Sequence, residues 1–326
     1  MNTRLFGEKN LSIGEVGLGC WQFGGDFGDM EENTALAIMA AAVDNGVTFF
    51  DTADVYGTGK SEELIGRFLK QCALPITVAT KFGRGGDVYP DKYTEEALRR
   101  SVAASARRLG VEMIDLLQLH CIPIEVLRAG DVFTWLRRLK QDGLIKNFGA
   151  SVETVEEALI CLEQEDLLSL QVIFNIFRQK LVTELLPQAN ARGVGIIVRL
   201  PLASGLLAGK FTKDTTFAPT DHRNYNKDGQ CFNVGETFAG LPFEKGVELV
   251  EMMKEMLPDG MTMAQMALRW ILDHDEVSVV IPGASSPEQA KANAAVSDLA
   301  PLPDTLHKCL RDFYNQHVRD CIRGPY

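Results

Sequence analysis

The stretch from Phe49 to Gly57 (FFDTADVYG) constrains the fold most, because an apolar run changes there abruptly into aspartate, threonine and tyrosine. The run that leads into it, Val47 to Phe50, is typical of a strand buried on both faces. Asp51 then stands at the carboxyl end of that strand. Parallel α/β folds keep their reactive groups at this end. The stretch therefore predicts both a fold class and the place of a site.

The same pattern recurs twice further along the chain. The segment 76–81 (ITVATK) ends in a lysine, and the segment 114–120 (IDLLQLH) ends in a histidine. Closing a parallel sheet into a barrel brings the carboxyl ends of its strands to one face. We therefore expect one cluster there, made of Asp51, Tyr56, Lys81 and His120.

Apolar runs and amphipathic segments alternate along the rest of the chain, which predicts a (β/α)8 barrel of the α/β class. A flat doubly wound sheet is the alternative, but no GxGxxG follows the first strand. Weak alternation over residues 4–14 indicates a hairpin ahead of the barrel, and residues 303–323 have the mixed pattern of an extra helix packed on the outside. The predicted strands are 16–19, 47–50, 76–80, 114–119, 146–150, 171–174, 194–199 and 277–281, and the predicted helices are 31–45, 61–70, 94–109, 131–142, 153–164, 183–192 and one from 287.

One segment does not fit the repeat. Residues 211–242 are rich in glycine, asparagine, aspartate and aromatic residues, and loops of this length tend to be functional. We interpret the segment as a mobile flap near the site. The whole chain, residues 1–326, is expected to form a single domain.

Charge and cysteine content narrow the classes of partner. A net charge of -11 argues against nucleic acid and anionic membrane, since both attract basic patches. The seven cysteines form neither a CxxC pair nor a cluster at metal-ligand spacing, so no metal site is predicted. No signal-peptide core and no apolar run of about 18 residues is found, which favours a cytoplasmic protein. A small molecule is the expected partner.

The motif DTADVYG, followed by a lysine and a histidine at the next two strand ends, resembles the catalytic tetrad of the aldo-keto reductases. The likeness extends from GLGCWQFGG at 17–25 to IPGASSPEQ at 281–289. It implies an NAD(P)(H)-dependent oxidoreductase that reduces aldehydes and ketones, or oxidises sugars and alcohols, by hydride transfer. Tyr56 is then the proton donor, and Lys81 favours its phenolate form. Asp51 keeps the lysine charged, and His120 orients the carbonyl.

The resemblance also implies a nicotinamide cofactor held at the later strand ends. Ser151 and Gln171 match the residues that bond the carboxamide. Arg199 stands where the family commonly stacks an aromatic on the nicotinamide, and a guanidinium plane can also stack on a flat ring. Residues 202–210 (LASGLLAGK) resemble the pyrophosphate-binding loop, a Gly-rich turn being the alternative. The remaining implied cofactor positions are Trp21, Asp51, Leu202, Ser204, Leu207, Lys210, Gly283, Ser285, Gln289 and Asn293.

NADP(H) is the family default, but the adenosine end departs from it. NADP-selective relatives usually place lysine or arginine here to pair with the 2'-phosphate, whereas this chain has Ser285, Ser286 and Gln289, with only Lys291 nearby. NAD(H) therefore stays open. On the substrate side we expect contacts from the aromatic residues Trp21, Phe27 and Phe82.

Two other functions compete with catalysis of this kind. A non-catalytic barrel could bind nicotinamide nucleotide as a sensor or as a partner subunit, but the four intact tetrad residues count against it. A steroid double-bond reductase resembles the same family with glutamate in place of the histidine, and His120 disfavours that function.

Overall fold

The structure, a computed structural model, describes residues 1–7 and 11–326. Eight parallel strands pair in sequential order, and the sheet closes because the first strand segment also meets the last: Gly17 N donates to Val280 O at 2.8 Å, and Gly19 N donates to Pro282 O at 3.1 Å. The predicted (β/α)8 barrel is confirmed. The barrel strands are β3 (Leu18–Gly19), β4 (Phe49–Asp51), β5 (Thr77–Phe82), β6 (Ile114–His120), β7 (Ile145–Ser151), β8 (Leu167–Ile173), β9 (Gly195–Arg199) and β10 (Val277–Val280).

The predicted hairpin is formed by β1 (Thr3–Phe6) and β2 (Leu11–Gly14), which pair antiparallel. Phe6 and Ile13 from these strands are buried and pack against Phe49, Ala79 and Leu116 inside the barrel. The three barrel residues lie toward the amino ends of their strands, so the hairpin closes that end. Residues 8–10, within the hairpin predicted over 4–14, lie outside the described residues.

Helices surround the barrel, and their apolar faces share a core with the outward side chains of the strands. The long predicted helices agree with the structure, but in place of 183–192 there are two short helices, Leu181–Glu184 and Leu186–Ala191, the second of which has Pro187 in its first turn. A helix also precedes the one predicted at 131–142. The helices are α1 (Glu32–Asp44), α2 (Lys60–Leu69), α3 (Glu95–Leu109), α4 (Ile124–Ala129), α5 (Asp131–Gln141), α6 (Val155–Leu162), α7 (Leu181–Glu184), α8 (Leu186–Ala191), α9 (His222–Tyr225), α10 (Phe243–Met253), α11 (Met263–Leu272), α12 (Pro287–Ala294) and α13 (Asp304–Phe313).

The sequence analysis did not specify α10 and α11, which connect β9 to β10. A local signal for α11 is present: Thr262 accepts a hydrogen bond from Gln265 N at 3.2 Å, and Gln265 Oε1 accepts one from Thr262 N at 2.8 Å. This is a capping box, which can be recognised from the sequence TMAQ. Within residues 1–7 and 11–326, no helix is both long and apolar enough to cross a membrane.

The predicted flap, residues 211–242, contains α9 and short 3-10 turns. It lies over the carboxyl end of the barrel, because Tyr225, Phe232 and Glu236 line the same cavity as Trp21 and Tyr56. The flap therefore forms part of the wall of the site.

Candidate active site

Strand alternation decides which side chains enter the barrel. Successive residues point to opposite faces of a strand, so Phe49 and Asp51 of β4 point inward, while Phe50 packs against the helices. Asp51 accepts hydrogen bonds from Gln118 Nε2 at 3.0 Å and from Gln171 Nε2 at 2.7 Å. Its carboxylate is thus fixed by two amides. Gln118 was not predicted, although it lies two residues before His120 and hence on the same face of the strand.

Lys81 lies at the centre of the cluster and is 1% exposed. Its Nζ donates to Asp51 Oδ1 at 2.5 Å, to Thr52 O at 2.8 Å and to Tyr56 OH at 3.2 Å, which uses the three donors of an ammonium group. Burial lowers the pKa of Lys81, but the charges and hydrogen bonds of Asp51 and Tyr56 outweigh it and raise the pKa to about 12. The lysine is therefore charged at neutral pH.

The surroundings of Tyr56 shift its pKa in opposite directions. Burial raises its pKa, Lys81 lowers it and Asp51 raises it, with a net pKa of about 12. The lowering expected from Lys81 is present, but burial outweighs it. Tyr56 consequently holds its proton at neutral pH, which is the state that a proton donor requires.

The loop that carries Tyr56 is in close backbone contact, at Gly57, with the loop that contains Gly24. Gly57 has φ +59°, and a Cβ on it would lie 2.5 Å from Gly24 O, so a larger residue would push the two loops apart. The segment of Gly24 also carries Trp21, whose ring stacks on Tyr56 with centroids 5.9 Å apart. The glycine contact therefore holds the phenol against the indole.

His120, at the end of β6, lines the cavity beside Tyr56, with ring centroids 5.9 Å apart. Burial lowers its pKa well below 6.5, and the nearby charges of Lys81, Arg84 and Arg199 lower it further. The imidazole is therefore neutral. Its Nδ1 is buried with no hydrogen-bond partner among the described residues, which leaves Nε2 as the nitrogen that can carry the proton and donate into the cavity.

A cavity of about 420 Å³ opens in front of these two residues, within the size range of small-molecule sites. It contains the predicted Trp21. Phe27 packs behind that indole, with centroids 5.2 Å apart, and against His222 of the flap at 4.4 Å. The lining combines aromatic and polar groups: Trp21, Asp26, Val55, Tyr56, Arg84, Tyr89, His120, Glu153, Tyr225, Cys231, Phe232, Asn233 and Glu236.

The structure corrects the prediction that Phe82 contacts substrate. Lys81 points into the barrel, so the next residue on β5 points outward. Phe82 is 1% exposed, belongs to the core between strands and helices, and packs edge-on against Tyr93 with centroids 6.2 Å apart. It supports the strand from outside the barrel.

The strand ends expected to hold a nicotinamide form one group. Ser151 Oγ lies 3.3 Å from Gln171 Oε1. Arg199 is buried at the end of β9, donates from Nη2 to Val152 O at 3.0 Å, and pairs through Nη1 with Glu236 Oε2 of the flap at 2.6 Å. Its Nε is buried with no hydrogen-bond partner among the described residues. A flat guanidinium with a spare donor, together with a hydroxyl and a side-chain amide, fits a nicotinamide.

The loop after β9 has an unusual backbone. Leu200, Ala203 and Ser204 have φ of 52°, 48° and 55°, a region that non-glycine residues enter at a cost and that is common at ligand sites. The Ser204 hydroxyl donates to Glu236 O and accepts from Phe238 N, both at 3.2 Å, so it binds the flap. Of the other predicted phosphate contacts, Leu202 is half-buried, Leu207 is buried and Lys210 is exposed.

At the predicted adenosine end, local hydrogen bonds occupy the polar side chains. Ser286 caps α12 by accepting from Gln289 N at 3.3 Å, and Gln289 Oε1 accepts from Ser285 N at 2.8 Å. Asn293 Nδ2 donates to Gly283 O at 3.1 Å. The cation nearest in sequence to these neutral groups is Lys291, whose side chain is exposed.

The sequence analysis also missed Gln22, which covers this end. A Cβ on Gly283 would lie 1.7 Å from Gln22 Nε2, so the amide packs directly on the glycine backbone. The close contact explains why glycine stands at this position.

Comparisons with known proteins agree with this arrangement. The model of the Aldo/keto reductase family matches residues 15–315. The glycerol dehydrogenase AKR11B4 from Gluconobacter oxydans has a similar structure, with a TM-score of 0.78 and 29% identity over 99% of this chain and 98% of that one. The NADH-specific methylglyoxal reductase of Escherichia coli is 27% identical over 90% of this chain and 92% of that protein.

A third relative is the aldo-keto reductase AKR11C1 from Bacillus halodurans, which has been solved in two forms. Its holo form matches with a TM-score of 0.78 and its apo form with 0.71, each at 26% identity over 97% of this chain and 99% of that one. The present structure therefore resembles the holo form more closely.

Proposed function

Because the chain belongs to the aldo/keto reductase family, we propose that it is a single-domain oxidoreductase that uses NADP(H) or NAD(H). It reduces a small aldehyde or ketone, or oxidises the corresponding alcohol, with Tyr56 as the proton donor. The observation that carries the proposal is the buried series Asp51, Lys81 and Tyr56, which ends beside His120 at the cavity. The series links a fixed carboxylate to a phenol in reach of a substrate.

In this mechanism the substrate carbonyl oxygen lies between Tyr56 OH and His120 Nε2. Ser151, Gln171 and Arg199 would hold a reduced nicotinamide, which would supply the hydride for the carbonyl carbon. The phenol and the neutral imidazole donate hydrogen bonds to the oxygen as it becomes negative. Tyr56 then gives up its proton, and the ammonium of Lys81, 3.2 Å from the phenol oxygen, stabilises the phenolate. Asp51 in turn keeps the ammonium charged.

We assign the cofactor to the carboxyl end of the barrel. Ser151, Gln171 and Arg199 hold the nicotinamide end, with Trp21 and Asp51 beside it. The pyrophosphate is assigned to the backbone of the 202–210 loop, where Ala203, Ser204 and Gly205 have positive φ, because successive N–H groups in such turns can form an anion-binding concavity. The adenosine end lies at the start of α12, whose N-terminus favours phosphate. The assigned residues there are Gly283, Ser285, Gln289 and Asn293.

The cavity wall favours a short substrate with hydroxyl or second carbonyl groups. Arg84 forms an ion pair with Glu153, and Asn233 Nδ2 donates to the same carboxylate at 2.9 Å. The same cavity is also lined by the aromatic side chains of Trp21 and Tyr89. Two relatives bear the names of a glycerol dehydrogenase and a methylglyoxal reductase, whose substrates are of this size. An apolar steroid would displace water from these polar groups without offering them hydrogen bonds in return.

The function is tested by following NADPH and NADH oxidation in parallel over short hydroxyaldehydes, dicarbonyl compounds, long aliphatic aldehydes and a steroid enone. We expect turnover with the short oxygenated compounds and the slowest rates with the steroid. Matched assays of NADP and NAD reduction by alcohols cover the reverse direction. Nucleotide binding without turnover in either direction is the result that favours the sensor function and removes the enzymatic one.

Nucleotide selectivity is expected to be weak. A charge-assisted bond to phosphate contributes roughly 1.5–3 kcal/mol, whereas the first turn of α12 carries Glu288 and no cation. Dissociation constants for NADPH and NADH, measured by protein fluorescence, should lie within about tenfold of each other. Ser285→Arg should tighten NADPH selectively, since Ser285 is exposed and its replacement keeps the Ser286 cap.

Lys291→Ala is the control for this experiment. It should leave both dissociation constants unchanged if Lys291 takes no part. A preference for NADPH above ~100-fold, lost in Lys291→Ala, means that a phosphate site exists in which a lysine replaces the usual arginine.

A further inference from the structure

The last described residues, 322–326, contact the flap and are called the tail segment below. Arg323 forms hydrogen bonds to four flap residues. Its Nε and its backbone N both donate to Gly240 O at 3.0 Å. Its Nη2 donates to Lys227 O at 3.0 Å and to Leu241 O at 3.2 Å, and its Nη1 pairs with Asp228 at 2.7 Å. These partners lie near the two ends of one flap segment, 227–241. One guanidinium therefore joins both ends of that segment.

The segment between those ends builds the cavity wall. It contributes Cys231, Phe232, Asn233 and Glu236 to the lining. Asn233 bonds Glu153 of the barrel, and Glu236 pairs with Arg199 at 2.6 Å. A shift of the segment therefore changes both the polar wall and the partner of the arginine at the nicotinamide end.

Other parts of the tail segment reinforce the same contact. Gly324 lies against Val234, since a Cβ on it would be 2.9 Å from Val234 Cγ1. The ring of Tyr326 lies over the Arg178 guanidinium at 4.6 Å. On its other side Arg178 touches the flap, because a Cβ on Gly235 would lie 2.1 Å from its Nη1. Arg178 thus lies between the tail and the residue that precedes Glu236.

The outer part of the flap segment has little buried structure of its own, whereas residues 235–241 are buried. Residues 227–234 are all exposed or half-buried, and a 3-10 turn, Val234–Glu236, is the regular element that begins in them. Backbone with few buried apolar contacts opens at low free energy. Asn226 accepts from the backbone N–H groups of Cys231 and Phe232, and Arg323 joins this outer part to the buried end of the segment.

We propose that Arg323 is a positioning residue that holds segment 227–241 in the arrangement that completes the cavity. The guanidinium does not act on the substrate. It acts through Asn233 and Glu236, whose places depend on the ends that it joins. The kinetic part of this inference rests on the proposed function, whereas the conformational part does not.

The test compares Arg323→Ala with Arg319→Ala, an exposed arginine on the same stretch of chain that pairs with the adjacent Asp320. Limited trypsin digestion reports flap opening directly, because Lys227 is exposed and lies at one end of the segment. We expect cleavage after Lys227 to be about tenfold faster in Arg323→Ala, the effect of losing one or two charge-assisted bonds. KM for the carbonyl substrate should rise by a similar factor. Arg319→Ala should match the unmodified protein in both.

Arg323→Lys and Asp228→Asn serve as milder variants if Arg323→Ala does not fold. A lysine can keep the ion pair with Asp228 but cannot make the several hydrogen bonds of a guanidinium. The cleavage rate of Arg323→Lys should therefore lie between those of the unmodified protein and of Arg323→Ala. Cleavage of Arg323→Ala at the unmodified rate, or equal acceleration in Arg319→Ala, overturns the proposal. The digestion requires no turnover, so a protein that reduces no carbonyl compound refutes the enzymatic function without deciding this point.

Discussion

Replacing Tyr56 by phenylalanine is expected to lower kcat for carbonyl reduction by at least ~10²-fold, the usual contribution of a general acid. The substitution removes the hydroxyl that lies 3.2 Å from Lys81 Nζ. It keeps the ring, which stacks on Trp21, so the cavity retains its shape. Dissociation constants for both nucleotides should therefore change little. Steady-state kinetics and a fluorescence titration on the same preparation measure the two quantities.

Tyr89→Phe is a matched control, because Tyr89 lines the same cavity but is 44% exposed and belongs to another loop. Its loss of a hydroxyl should alter KM at most, leaving kcat near the unmodified value. If Tyr56→Phe keeps near-normal turnover, or if both variants lose activity equally, the proton comes from another group.

The placement of the tetrad could be predicted from the sequence because strand ends and alternation are local properties. Asp51, Lys81 and His120 each close an apolar run, and a closed parallel barrel brings such ends together. The same alternation shows that Phe82, one residue after Lys81, points away from the site. It also shows that Gln118, two residues before His120, points into it. Both errors came from reading the motif and leaving out the parity of the strand.

The flap contacts could not be predicted, for a different reason. Arg323 and Asp228 are 95 residues apart, and neither lies in a periodic segment that fixes where its side chain points. The ion pair between Arg199 and Glu236 likewise joins a strand end to an irregular loop. Such pairs depend on the path of a loop over the finished barrel, which local propensities do not specify. The sequence thus predicted where Arg199 lies but not its partner.

Lys81→Met should abolish most turnover for an electrostatic reason, by at least ~10²-fold, on the scale of one lost charge-stabilising group. The ammonium lowers the pKa of Tyr56 against the opposing effect of burial, so its loss leaves the phenolate without its stabilising charge. Alcohol oxidation begins from the phenolate, and its rate rises with pH as the phenol ionises. In the variant, the pKa of Tyr56 increases further, so this rise should move to higher pH. The pKa of Tyr56 is about 12, so rates measured from pH 6 to 11 lie on the rising part of both profiles, and the profile of the variant should be displaced to higher pH.

The single variant also leaves the Asp51 carboxylate buried without its cation, and breaking a buried pair costs roughly 3–5 kcal/mol. Loss of activity alone could therefore reflect unfolding. The double variant Lys81→Met/Asp51→Asn removes the uncompensated charge. In the unmodified protein Gln118 and Gln171 donate to Asp51 Oδ2, and the amide oxygen of the asparagine can accept the same two hydrogen bonds. Thermal unfolding should show stability regained in the double variant, with turnover still lost. A stable double variant that turns over normally, or either variant with an unshifted pH profile, would show that the charge of Lys81 has no part in the proton transfer.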